Sequence, residues 1–164
     1  MGNAAEAGKD TFSKKEVNPT TNRPPIDPAV ESGKQLAQIR VFIIDAHEAV
    51  RRALRVRLSV PKQFEVVGVS PNPDAAANQI QSKRPDVILF GLHTSSDEEL
   101  AKVVRAVQEL ANRAAVVIVL APYVDALERE LLINAGAKRY LLKHINSDQM
   151  IREIESVVSS TTGV

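Results

Sequence analysis

The chain has 164 residues, of which 44% are hydrophobic and 25% are charged, and its formal net charge at pH 7 is +1. This composition predicts one globular domain with some polar tail, and excludes a strong electrostatic footprint for nucleic acid or membrane at the level of the whole chain. The absence of cysteine excludes disulfides, thiolate catalysis and cysteine-ligated zinc. No apolar run approaches the roughly 18 residues of a membrane helix, and no signal-peptide core is evident, so a cytoplasmic location is expected.

Residues 1–38 are predicted to form a disordered N-terminal tail. Apolar residues are scattered through this segment, and Pro24, Pro25 and Pro28 lie among polar and charged side chains. Such a segment cannot bury enough apolar surface to offset the entropy lost on ordering. The folded domain is therefore expected to begin near Ile39.

From Ile39 onward, short apolar runs alternate with segments of helical periodicity. The residues Val87 to Leu92 follow Arg84-Pro85-Asp86 and are interrupted only by Gly91, which is typical of a strand buried on both faces of a parallel sheet. The predicted strands, in chain order, are Ile39–Ile44, Phe64–Val69, Val87–Leu92, Ala115–Leu120 and Lys138–Leu142.

A helix is predicted after each strand, and several of the helices carry recognisable end signals. The first ends before Pro61, and the second opens at Asn72-Pro73, an N-cap followed by proline at the first helical position. Ser96 with Glu99 is a predicted capping box for the third. The fourth helix carries Leu127 and Leu131 and ends at Gly136. The fifth is capped by Asn146 or Ser147, and its apolar residues are Met150, Ile151, Ile154 and Val158.

Five strands alternating with five helices predict an α/β fold with a doubly wound, five-stranded parallel sheet and right-handed crossovers. The domain is expected to span residues 39–158, and residues 159–164 are expected to form a short C-terminal tail. No output domain is expected within the chain, because the N-terminal tail is too short and polar to form one.

Three segments, residues 39–47, 84–90 and 135–143, resemble the receiver domain of bacterial response regulators, most closely the NarL/LuxR type. The resemblance covers essentially the whole predicted domain. It implies a CheY-like, flavodoxin-like fold with strand order 2-1-3-4-5. It also implies a role in two-component, phosphorelay signal transduction.

A receiver of this kind takes a phosphoryl group from a histidine kinase onto an aspartate at the end of the third strand. The resemblance implies that an acidic pair after the first strand holds Mg²⁺, while a hydroxyl after the fourth strand and a lysine after the fifth contact the phosphoryl group. The matching residues are Asp45 and Ala46 for the acidic pair, Gly91 for the acceptor, Ala121 for the hydroxyl and Lys143 for the lysine. Glycine offers no nucleophile.

The chain is therefore predicted to be a degenerate pseudo-receiver, with no enzymatic activity and no cofactor. Asp45 and Lys143 are expected to neutralise each other, which disfavours Mg²⁺. Ser95 and Ser96 offer nearby hydroxyls as alternative acceptors, but without the metal. Tyr140 matches the family's switch aromatic, and it is expected to rest inward permanently because Ala121 leaves space beside it.

An alternative function is a small-ligand or metal sensor that reuses the emptied pocket, since ligands bind at strand-end crevices of open α/β sheets. His47, His93 and His144 follow the first, third and fifth strands and are candidate ligands for zinc or nickel. Solvated loop histidines are the simpler interpretation, and no resident metal is predicted.

The expected partners are signalling or regulatory proteins, among them a second copy of the chain. The family pairs through its first and fifth helices, or through the face formed by the fourth helix, the fifth strand and the fifth helix. Arg51, Arg52 and Arg55 are predicted to share an outward face of the first helix, but no aromatic residues interleave to stack on bases. Neither nucleic acid nor membrane is expected as a partner.

Overall fold

In a computed structural model the chain divides into two units, Met1–Gln35 and Leu36–Val164, and the structure describes residues 37–93 and 96–163. The predicted tail at residues 1–38 lies almost wholly outside the described residues and stays a prediction. The described strands are β1 (Ile39–Ile44), β2 (Phe64–Ser70), β3 (Val87–Gly91), β4 (Val116–Ala121) and β5 (Arg139–Leu142). The described helices are α1 (Glu48–Ser59), α2 (Pro73–Lys83), α3 (Asp97–Ala111), α4 (Ala126–Asn134) and α5 (Ser147–Thr162).

The strands form one parallel sheet in the order β2-β1-β3-β4-β5. This confirms the doubly wound fold and the predicted strand order, and the strand boundaries agree with the prediction to within one residue. The sheet has β3 at its centre, and all five residues of β3 are buried. The carboxyl ends of β1, β3, β4 and β5 consequently meet along one edge.

Two apolar layers cover the two faces of the sheet, because successive strand residues point to opposite sides. On one face, residues such as Phe42 and Ile88 pack in a cluster with Ile80 of α2, Val107 of α3 and Leu132 of α4. On the other, the alternate strand residues pack against helices α1 and α5, whose contributions are Leu54, Leu58, Met150, Ile154 and Val157.

The helix-end signals in the sequence act as predicted. The Asn72 side chain accepts a hydrogen bond from the Ala75 amide at 2.8 Å, and Ser96 and Glu99 form a complete capping box. After α4, Gly136 adopts a φ of +116°. Its amide and that of Ala137 donate to the carbonyls of Ile133 and Leu132, which is the Schellman arrangement that favours glycine at this position.

The structure adds one burial pattern and corrects one helix boundary. Leu127 and Leu131 lie on α4 as predicted, where they are 63% and 38% exposed, and the buried residues of this helix are Glu128 and Leu132. The last helix continues to Thr162, past the predicted start of a C-terminal tail at residue 159. Within residues 37–93 and 96–163, no helix has the length and hydrophobicity needed to cross a membrane.

Candidate functional site

The predicted pocket positions lie together along the carboxyl edge of the sheet. Asp45 follows β1, Gly91 ends β3, Ala121 ends β4 and Lys143 follows β5. The Lys143 amide donates to the Ala121 carbonyl at 2.8 Å, so the ends of β4 and β5 are held in register. This is the edge at which open α/β sheets place their functional groups.

Asp45 and Lys143 form a direct ion pair at this edge. The Asp45 side chain is fully buried and its Oδ2 lies 2.6 Å from the Lys143 Nζ, while the lysine side chain is 18% exposed. The second carboxylate oxygen, Oδ1, accepts a hydrogen bond from the His47 amide at 2.8 Å. Both oxygens of the carboxylate therefore have a donor from the protein itself.

The carboxylate of Asp45 occupies the space above Gly91. A Cβ atom placed on Gly91 would overlap the Asp45 Oδ2 and would lie 2.7 Å from its Cγ. Distances of this kind do not occur between non-bonded carbon atoms, so any side chain at position 91 would have to displace the Asp45 carboxylate. The absence of a side chain at position 91 leaves room for the ion pair.

Arg51 forms hydrogen bonds with the loop between β1 and α1. Its Nη1 donates to the carbonyl of Asp45 at 2.7 Å and to that of Ala46 at 3.0 Å. The expectation that Arg51 belongs to an outward basic face is wrong, because its guanidinium turns to these two carbonyls. Arg52 does point outward, in an exposed pair with Glu48 at 2.6 Å.

The residues at this edge do not fit Mg²⁺. The ion needs several oxygen ligands and prefers carboxylates together with phosphate and water. Asp45 supplies the one carboxylate of the predicted set, and its oxygens are taken by Lys143 and the His47 amide. Within residues 37–93 and 96–163, no group of three or more His, Cys, Asp or Glu side chains is arranged to hold a metal ion.

Tyr140 of β5 is tied to the start of α4. Its ring packs against the core layer that contains Ala121, and its hydroxyl donates to Glu128 Oε1 at 2.6 Å and lies 3.2 Å from the Tyr123 carbonyl. Burial and the hydrogen bond to the Glu128 carboxylate raise the pKa of the Tyr140 phenol well above its ordinary value. The phenol therefore stays a donor throughout the physiological pH range.

The three predicted histidines are only partly brought together. The rings of His47 and His93 meet edge to face, with centroids 5.3 Å apart, and the His47 Nδ1 lies 3.4 Å from Asp45 Oδ1. His144 is exposed, and among the described residues it belongs to no metal-binding group.

An open cavity of about 420 Å³ lies beside the pocket positions. Its floor is apolar, with Ile44, Phe90 and Leu92, and it runs between the start of α2 and the face of α3 that carries Val103 and Ala106. Gly91 and His93 also line it. The predicted emptied pocket is thus filled directly above Gly91 by Asp45, and the available space lies to one side.

Sequence reasoning missed Arg51 and Glu128 as residues that organise this region. Arg51 was assigned to the solvent because it belongs to a run of arginines on α1. Glu128 was not singled out at all, because a glutamate between two leucines on a helix ordinarily faces water. No signal in one sequence marks either residue, since Arg51 acts through the backbone carbonyls of the loop before its helix and Glu128 acts through Tyr140 on another element.

Comparison with known proteins places these observations in a family. The sequence model of the response regulator receiver domain matches residues 41–155. The chain is 27% identical over 114 residues to the uncharacterised transcriptional regulatory protein YhcZ of Bacillus subtilis, covering 70% of this chain and 52% of YhcZ. It is 32% identical over 105 residues to the transcriptional regulatory protein LiaR of the same organism, covering 64% of this chain and 49% of LiaR.

Among solved structures, the fold is similar to that of the signal receiver domain of the response regulator NarL from Mycobacterium tuberculosis. The TM-score is 0.64 at 21% sequence identity, and the match covers 75% of this chain and 98% of that one. The chain spans about half the length of the curated relatives it matches. The match of the family model to most of the described domain shows that the chain belongs to the response regulator receiver domain family, the signal-receiving domains of two-component systems.

Proposed function

We propose that this chain is a receiver that takes up no phosphate and acts as a fixed protein-interaction module in signal transduction or transcription regulation. The observation that carries the proposal is the space above Gly91, which the Asp45 carboxylate fills while paired to Lys143 at 2.6 Å. A phosphoryl acceptor at this position would need both the nucleophile and the room, and the arrangement offers neither.

The other groups of the site support the same conclusion. Asp45 itself is a poor acceptor, because its carboxylate is buried and neutralised by Lys143. The Ser96 hydroxyl accepts from the Glu99 amide as the cap of α3, and Ser95 lies outside the described residues. Ala121 provides no hydroxyl to draw toward a phosphoryl group. The domain therefore has no chemical means to sense phosphorylation and holds one conformation.

The proposed interaction surface lies on α4 and the loop before it. Val124, Leu127 and Leu131 are exposed there, and they define what we call the α4 apolar face. Arg129 and Glu130 are exposed on the same short helix. In a two-fold symmetric pair, a contact between two different residues of the two copies forms twice. A pair of opposite charges such as Arg129 and Glu130 therefore suits self-pairing. The proposed partner is a second copy of the chain.

We expect no phosphoryl uptake when the protein is incubated with Mg²⁺ and a small phosphodonor such as acetyl phosphate. The physical reason is the missing nucleophile at Gly91 together with the occupied carboxylate of Asp45. Intact-mass spectrometry measures the covalent adduct, and amide NMR with beryllofluoride and Mg²⁺ measures non-covalent binding at Asp45, Gly91 and Lys143. A receiver that carries the acceptor aspartate serves as the positive control. A phosphoryl adduct, or shifts at these three amides, would restore conventional phosphate signalling and overturn the proposal.

We expect Leu127→Glu to weaken self-association by about tenfold or more, equivalent to about 1.4 kcal/mol, because a charge replaces an apolar contact at the centre of the surface. Sedimentation velocity over a concentration series measures the effect. Ala75→Glu is the control, since Ala75 is an exposed apolar residue on α2, outside both surfaces through which the family pairs. Equal effects of the two variants would show that the α4 apolar face is not the contact.

A second candidate function is ligand sensing, and the cavity of about 420 Å³ beside Gly91 is the observation that favours it. Its volume and apolar floor are in the range of small-molecule sites. A metal is a weaker candidate, because the structure brings together only His47 and His93 of the three predicted histidines. Ligand binding at a hundredfold excess over the dissociation constant stabilises a protein by about 2.7 kcal/mol, so a thermal-shift screen that includes Zn²⁺ tests this alternative.

A further inference from the structure

Helix α4 buries a glutamate and exposes two leucines, although its Leu132 is buried in the core as in an ordinary amphipathic helix. Leu127 is 63% exposed and Leu131 is 38% exposed, whereas Glu128 is only 7% exposed. Each leucine directly precedes a buried position, Glu128 and Leu132 respectively. Turning the helix by about one residue, roughly 100°, would bring the leucines toward the core and carry the glutamate to water.

The Glu128 carboxylate is held inside by a single side chain. The Tyr140 hydroxyl donates to its Oε1 at 2.6 Å, and among residues 37–93 and 96–163 no lysine, arginine or histidine forms an ion pair with it. The same hydroxyl lies 3.2 Å from the Tyr123 carbonyl in the loop before α4. One phenol on β5 thus contacts both the helix and its entry loop.

Removing the Tyr140 hydroxyl would leave the buried Glu128 carboxylate without its side-chain donor. Burying a charge is costly unless it is paired and hydrogen-bonded, and removing its partner leaves the cost without compensation. A turn of α4 is one way for the charge to regain water. The hydrogen bond from Tyr140 therefore favours the outward placement of Leu127 and Leu131, together with the burial of Leu132 in the core.

We propose that Glu128 is a positioning residue, which the Tyr140 hydroxyl holds inside the domain so that α4 presents its apolar face to a partner. This inference rests on the proposed function, in which that face is the interaction surface, and adds the residues that set its orientation. In this chain the hydrogen bond between β5 and α4 decides which face of α4 is outward.

Site-specific thiol labelling tests the orientation of α4 directly, because the chain contains no cysteine. Leu127→Cys and Leu132→Cys are made singly, and their reaction rates with a maleimide are compared with that of Val56→Cys, an exposed reference on α1. With Tyr140 intact and the protein diluted until sedimentation velocity shows a monomer, the cysteine at position 127 is expected to react at about the reference rate, and the one at position 132 is expected to be protected.

Adding Tyr140→Phe is expected to change the two rates in opposite directions. The rate at position 127 falls, and the rate at position 132 rises about tenfold or more, which corresponds to a shift of about 1.4 kcal/mol toward the turned helix. General loosening of the domain would raise both rates, so the opposite signs separate a positioning role from a merely structural one. Rates that do not change, or that rise together, would overturn the proposal.

Two further variants complete the test. Tyr123→Phe removes the other phenol of the chain but keeps the backbone carbonyl that lies near Tyr140, so both rates are expected to stay unchanged. Tyr140→Phe combined with Glu128→Leu removes the hydroxyl and the buried charge together, and we expect it to return both rates to their original values. Should Tyr140→Phe alone fail to fold, this double variant decides: original rates support the proposal, and a second failure to fold overturns it.

The outcome is independent of the phosphorylation experiment. Unchanged labelling rates in a protein that takes up no phosphate would contradict the positioning role of Glu128 but not the proposed function. Phosphoryl uptake would remove the proposed function whatever the labelling rates are.

Discussion

Lys143→Met is expected to lower the free energy of unfolding by about 3 kcal/mol, the lower end of the range for breaking a buried ion pair, because the lysine side chain is partly exposed. The substitution keeps most of the aliphatic stem and removes the ammonium group 2.6 Å from Asp45 Oδ2. The fully buried carboxylate then keeps the hydrogen bond from the His47 amide, with the His47 Nδ1 at 3.4 Å, but has lost its ammonium partner. Urea denaturation at neutral pH, followed by circular dichroism, measures the change.

Lys102→Met is the matched control for this experiment. Lys102 pairs with Glu98 at 3.2 Å on the surface of α3, with side chains that are 72% and 83% exposed. Breaking such a pair changes stability by at most about 0.5 kcal/mol. Adding Asp45→Asn to Lys143→Met is expected to recover part of the loss, because the buried group is then neutral. Equal effects of the two lysine variants would contradict the importance of the buried pair.

Gly91→Ala is expected to lower the free energy of unfolding by about 1 to 3 kcal/mol, the range for an added methyl group in a filled site. The new Cβ would overlap the Asp45 Oδ2 and lie 2.7 Å from its Cγ, so the carboxylate must move away from Lys143. The same denaturation experiment measures the loss. Because both substitutions disturb one ion pair, Gly91→Ala and Lys143→Met together should cost less than the sum of the two.

Gly163→Ala is the control for the glycine substitution. A Cβ at position 163 would meet only the Ser159 carbonyl, at 3.4 Å, and stability is expected to change by no more than about 0.5 kcal/mol. If Gly91→Ala were equally harmless, the Asp45 carboxylate would be free to move without loss. The filled space above Gly91 would then no longer argue against an acceptor at that position.

Most of the fold could be predicted from the sequence, because its signals are local. Alternating apolar runs and helical spacing located every strand and helix, and side chains such as Asn72, Ser96 and Gly136 marked helix ends through hydrogen bonds with nearby residues. The extension of α5 to Thr162 was missed. The polar Ser-Ser-Thr-Thr end of the chain lacks the apolar spacing on which the prediction depended.

The sequence identified the residues that form the site but only part of their arrangement in space. The resemblance to receivers aligned Asp45, Gly91 and Lys143 with the pocket, and the sheet does place them at one edge. The pairing of Asp45 with Lys143 was expected and is found, whereas the position of the Asp45 carboxylate directly above Gly91 was not predicted. The position of one side chain over a residue far along the chain depends on packing between strands, which no local pattern encodes.

Periodicity in the sequence by itself determined the alternation of strands and helices, and residue identity gave glycine at position 91. The strand order and the family were expected from the resemblance of three sequence segments to receiver domains. Only the tertiary structure decided that Arg51 turns inward and that α4 buries Glu128 while Leu127 faces outward. The physical reason is that a charged side chain is stable inside a protein only when a partner meets it there. The partner of Glu128 is Tyr140, on another element of the fold.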